Sequence, residues 1–164
     1  MKLVGFMDDA YQGTASGRRL KTRQGTMIFS LEDLADQVGE KPSRSAVEEF
    51  VPEGKSQLDL LISAEPGKKY RLLWGLLSSI AAERSAAPLM LPSRDYAGLQ
   101  LRKGSIILQE ASAHVGERMK GGRILVQGKA GDYLCQEMEG GGIIALGCRD
   151  YAFRNMRGGY GVVR

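Results

Sequence analysis

Four apolar residues, Leu101, Met119, Met138 and Met156, follow one another at intervals of 18, 19 and 18 residues. Two glycines stand just after each of the last three: Gly121-Gly122, Gly140-Gly141 and Gly158-Gly159. Lys103-Gly104 occupies the same place after Leu101. A short apolar run comes next each time: Ile106 to Leu108, Ile124 to Val126, Ile143 to Leu146, and Val162-Val163. Upstream, the pairs Asp95-Tyr96, Ala113-His114, Asp132-Tyr133 and Asp150-Tyr151 fall at matching offsets. A period this short leaves few folds. The apolar runs are strand-sized and rich in β-branched residues. No stretch between them carries a 3.6-residue apolar period long enough for a helix, so βαβ units do not fit. The Asn-Gly or Asp-Gly signals of two-residue hairpins are missing. The remaining solution is a coil in which each repeat makes one circuit and equivalent strands stack in parallel, about 4.8 Å apart.

Stacking predicts columns. Leu101, Met119, Met138 and Met156 should form one interior file, and Ile106, Ile124 and Ile143 another, ending at Gly161. Arg102, Lys120, Glu139 and Arg157 should share an exposed column, with Glu139 between two bases. The glycines are expected at corners where φ is positive.

The unit M-x-G-G-x-I-x-V-x-G-x-A-G-D-Y, and the whole stretch from Gly116 to Arg164, resemble the GXGXG repeat family. That family includes the β-helical subunit of formylmethanofuran dehydrogenase and the C-terminal domain of the glutamate synthase large subunit. The resemblance spans about residues 94–164. It implies a right-handed β-helix that is structural, docks onto catalytic subunits and carries no catalytic residue of its own. The expected fold is therefore mainly β: a short single-stranded parallel β-helix over residues 93–164, preceded by a small α+β region over residues 1–92.

Within that leading region, residues 2–7 and 25–29 read as strands, with a polar loop from Gln12 to Gly25. Ser30 and Asp33 look like the start of a helix that Gly39 stops. A second helix is expected from Ser45 to Phe50. Leu58, Leu60 and Ile62 alternate like a half-buried strand. The strongest helix spans about 66–85, with Tyr70, Leu73, Trp74, Leu77, Ile80 and Ala81 on one face. A helix leading into such a coil is expected to cover the first strand edge.

The charge balance shifts near the same boundary. Residues 1–97 balance thirteen Lys or Arg against thirteen Asp or Glu, whereas residues 98–164 hold ten against six, so the net +4 lies in the repeat. This modest excess does not predict nucleic-acid binding. The longest apolar stretch, Leu72 to Ala82, is too short and too polar to span a bilayer. No secretory signal is visible at the start, and a cytoplasmic protein is expected. Cys135 and Cys148 lack the spacing of a metal site or a redox motif and are expected as small buried or half-buried thiols.

Three residues invite a catalytic reading. His114, the single histidine, could act as a base, but it falls in the column of Tyr96, Tyr133 and Tyr151 and fits an aromatic ladder. Asp132 and Asp150 would lie about 5 Å apart on adjacent rungs, a spacing compatible with retaining glycoside cleavage. Asp beside glycine more commonly bonds local backbone. The glycine groups around Gly128, Gly131 and Gly140 lack the lysine and helix start of a phosphate loop. No catalytic residue, cofactor or metal is therefore expected. Val162-Val163, at the end of the repeat, is expected to leave an open coil. The partners anticipated are other protein subunits of an enzyme complex, as in a formyl-transfer oxidoreductase of one-carbon metabolism, or a second copy joined through that coil. A detached glutamate synthase-type domain and a self-associating scaffold are the alternatives.

Overall fold

A computed structural model describes residues 27–164. Among the described residues four helices come first: α1 (Leu31–Val38), α2 (Arg44–Phe50), α3 (Lys55–Ser63) and α4 (Arg71–Arg84). Five strands follow: β1 (Leu89–Leu91), β2 (Ser105–Leu108), β3 (Lys120–Ala130), β4 (Gly140–Cys148) and β5 (Tyr160–Val163). The strand expected at 2–7 and the loop from Gln12 to Gly25 lie outside the described residues. Residues 27–29, the described part of the expected strand at 25–29, are not strand. No helix among the described residues is long and apolar enough to cross a membrane.

The strands form one parallel sheet in the order β1-β2-β3-β4-β5, wound as a β-solenoid of about four turns. Its register is that of the repeat: Ile106 pairs with Ile124, Ile124 with Ile143, and Ile143 with Gly161. Leu101, Met119 and Met138 are each fully buried and form the anchor file. Met156 is only partly buried, because it lies in the last coil and has a neighbouring coil on one side alone. The solenoid sheet also takes in β1, which pairs with β2 through Leu89 and Ile106 and so precedes the expected boundary at residue 93.

The helices follow local sequence. Ser30 accepts from the Asp33 amide, Asp33 accepts from the Ser30 amide, and Gly39 ends α1 at φ +85°. Lys55–Ser63 is helix, not the strand that alternation at Leu58, Leu60 and Ile62 suggested. Leu58, Leu61 and Ile62 are buried, while Leu60 is 65% exposed. The buried set therefore has i, i+3, i+4 spacing, and Leu60 belongs to the outer face. Arg94 secures the end of α3 by donating to the carbonyls of Ile62, Ser63 and Ala64. Trp74 is fully buried and donates from Nε1 to Ile62 O at 2.8 Å.

Opposite the sheet, each coil closes through a turn segment of one repeated shape. Three residues at i, i+2 and i+4 take positive φ: Tyr96, Gly98 and Gln100; His114, Gly116 and Arg118; Tyr133, Cys135 and Glu137; Tyr151, Phe153 and Asn155. Ten of these are not glycine, although the sequence pointed to glycine for such positions. Each left-handed L-residue costs roughly 1–2 kcal/mol. Hydrogen bonds to both neighbouring coils hold the shape: His114 N–H donates to Asp132 O at 2.9 Å and Gly116 N–H to Ala97 O at 2.9 Å. The middle column points inward. A Cβ on Gly116 would come within 2.7 Å of Cys135 Sγ, and one on Gly161 within 2.1 Å of the Phe153 ring. Glycine or cysteine at this column thus faces isoleucine on the sheet in the earlier coils, and Phe153 faces Gly161 in the last. Total volume is kept while the bulky partner changes sides.

Helix α4 covers the first coil and replaces the coil that would otherwise precede it. In later coils Gly116, Cys135 and Phe153 donate to carbonyls one coil back. The equivalent Gly98 N–H donates to Ser78 Oγ at 2.9 Å. Lys120, Glu139 and Arg157 likewise donate one coil back, and the equivalent Arg102 N–H donates to Glu83 Oε1 at 2.8 Å. Ser79 Oγ donates to Leu99 O. Arg44, buried in α2, donates to Gln100 O at 2.9 Å and pairs with Glu83 at 2.6 Å. Side chains of α2 and α4 therefore satisfy backbone groups that would be orphaned at a bare edge.

Candidate interaction surface

Side chains alternate across a strand, so the register that buries one file exposes its neighbour. Met90, Ile107, Leu125, Ile144 and Val162 are paired in sequence from β1 to β5 and form a single outward column. Met90 is 64%, Leu125 39%, Ile144 43% and Val162 43% exposed. A sheet with one solvated face ordinarily alternates apolar and polar residues. Here the runs Ile106-Ile107-Leu108 and Ile124-Leu125-Val126 are apolar on both faces. That lack of alternation was the available sequence signal for the outer column, and the repeat pattern alone did not bring it out.

A groove of about 240 Å³ lies beside the column, lined by Ile107, Leu125 and Ile144 and by Pro88 and Tyr160 at opposite edges of the sheet. Gly142 also lines it, and the Tyr160 ring occupies the space a Cβ there would need, 2.0 Å from Cζ. Exposed Arg123 borders it in the column of Ser105 and Gly142. The five strands contain no aspartate or glutamate, whereas Lys120, Arg123 and Lys129 all lie in β3. The groove is thus apolar, with Arg123 as the charged residue of its lining. In the predicted charge column, Glu139 meets Lys120 at 3.7 Å, while Arg102 turns to Glu48 at 3.3 Å.

The residues singled out for catalysis have structural surroundings. Tyr96, His114, Tyr133 and Tyr151 stack with centroids 4.6, 4.7 and 5.0 Å apart. Arg71 lies over Tyr96 at 5.6 Å and Arg154 over Tyr151 at 5.8 Å. Guanidinium groups cover both ends of the ladder, and the stack itself covers the inner ring faces. His114 Nδ1 is held by Glu117 Oε2 at 2.7 Å. Burial and the nearby Glu117 carboxylate push the Tyr96 hydroxyl pKa upward.

Asp132 accepts from the Asp150 amide at 3.2 Å, and Asp95 accepts from the Ala113 amide at the same distance. Asp132 and Asp95 are therefore rung-to-rung backbone caps that bond the next coil, not the local backbone that the sequence suggested. A corner groove of about 600 Å³ is lined by Glu110, Lys129, Asp132, Cys148 and Arg149 together with small residues. Its aspartate is committed to the backbone in this way. Cys135 is buried and unpaired as expected, whereas Cys148, expected buried or half-buried, is exposed and unpaired. Burial pushes the Cys135 thiol up to about 12, which keeps it protonated and unreactive at neutral pH. Among the described residues, no three His, Cys, Asp or Glu side chains gather as metal ligands. Searches against protein-family models, curated proteins and solved structures gave no match to this chain.

Proposed function

We propose that this chain is a non-catalytic assembly subunit that docks onto catalytic subunits of a larger enzyme through the outer face of its solenoid sheet. The observation that carries the reading is the outward column from Met90 to Val162. An apolar stripe crossing every strand, beside an apolar groove, is the kind of surface that a partner covers. The solenoid supplies a rigid platform for it, because each rung is fixed by bonds to its neighbours. His114 and Asp132 are instead occupied in holding rungs together. The GXGXG resemblance adds the class of assembly: a formyl-transfer oxidoreductase complex in which this chain plays the part of the β-helical subunit.

Affinity purification of the full chain from its native host tests the proposal. The expected result is stoichiometric recovery of catalytic subunits, and their loss from Leu125→Glu and Ile144→Glu variants whose thermal melting is unchanged. Recovery of the folded chain alone would overturn it.

A further inference from the structure

We infer that the element received by the outer face is an amphipathic α-helix of a partner protein, lying along the solenoid axis with carboxylates beside its apolar stripe. This rests on the reading of that face as a docking surface. The column runs across the strands, one side chain per rung. Rungs repeat at about 4.8 Å, close to the 5.4 Å or so of one helical turn. A helix laid along the column therefore offers about one apolar side chain per rung. Five rungs span about 19 Å, which roughly 13 helical residues cover. The accumulated mismatch is only about half a turn. The groove beside the column is open between Pro88 and Tyr160 and accepts apolar side chains from the helix face, as helix-in-groove recognition requires.

Charge identifies the occupant further. The five strands hold no carboxylate, and Arg123 borders the groove. A second copy has no carboxylate on this face to set against that arginine. A helix with Glu or Asp flanking its stripe does, and the attraction sets its orientation.

The test uses the full chain and two labelled helical peptides of about 14 residues. Both carry leucines at i, i+3, i+7 and i+10; one carries glutamates beside the stripe and the other lysines. Fluorescence anisotropy should show the glutamate peptide binding about tenfold more tightly than the lysine peptide, with weaker binding at high salt. Ile144→Glu should abolish binding, and Arg123→Glu should invert the preference. Leu125→Gln serves in place of Ile144→Glu if the latter melts early. Equal binding of the two peptides, or an Arg123→Glu variant with unchanged preference, overturns the inference. So does a concentration-dependent mass that Leu125→Gln abolishes, because the occupant is then a second copy. Native subunits released by Ile144→Glu while neither peptide binds would overturn the helix and leave the docking reading intact. Native subunits retained by both variants would sink the docking reading itself.

Discussion

The first and last coils share one backbone path but complete it by different means. At the first, Ser78, Ser79, Glu83 and Arg44 answer backbone groups with side chains. At the last, β5 is exposed along its whole length and pairs with β4. Their interiors differ too. Gly98 leaves room for Ile106 and Ile124 in the first coil, while Phe153 fills the space above Gly161 in the last. The repeat therefore fixes the path of the chain, and what completes a coil is chosen locally.

The sharpest way to break the contrast is at Arg44. Arg44→Ala leaves Glu83 without its buried partner and Gln100 O without its donor, and should lower unfolding free energy by about 3–5 kcal/mol. Chemical denaturation monitored by circular dichroism reads this; a loss below about 1 kcal/mol would show that the side-chain cap is dispensable. Ser78→Ala orphans one buried amide and should cost about 1–3 kcal/mol.

The interior contrast calls for a double-mutant cycle. Gly161→Ile alone should overpack against Phe153 and cost about 1–3 kcal/mol. Combined with Phe153→Cys it recreates the arrangement of the preceding coil, and the pair should cost less than the sum of the single changes. Strict additivity would mean that the two positions do not share space.

The same column makes an alkaline prediction. The folded pKa of Cys135 is raised, so the unfolded chain ionises first as pH climbs. Its stability contribution is full below the ordinary thiol range and is lost as pH rises toward about 12, at about 1.4 kcal/mol per pH unit in that window. Melting of Cys135→Ala should lack this slope. The smallest effect belongs to the exposed Lys120–Glu139 pair: Glu139→Gln should change stability by about 0–1 kcal/mol and less at high salt. A larger change would mean that the pair does more than tune register.

Much of the solenoid was legible because stacking copies chemistry from rung to rung. Met119 and Met138, or Tyr133 and Tyr151, look alike in sequence because they lie over one another. The aromatic ladder and the capping role of α4 follow from the same pattern. The turn shape was hidden for the opposite reason. Tyr, His, Cys and Phe disfavour left-handed backbone when considered singly, and only bonds to two neighbouring coils impose it. Helix α3 was misread because Leu58, Leu60 and Ile62 match a period of two as well as Leu58, Leu61 and Ile62 match a helix. Arg44 left no sequence signal, since its partners lie 39 and 56 residues away.

The helical cover on the first coil also sets a limit on growth. A solenoid lengthens into a fibre only if the front of one copy accepts the back of the next, again and again. Here the front is already engaged: Gly98 and Arg102 have spent their donors on Ser78 and Glu83 within the same chain. Like a bolt with its head in place, the molecule is closed to a further strand at this end. Addition of a further strand at that edge is thereby blocked by the chain's own helix.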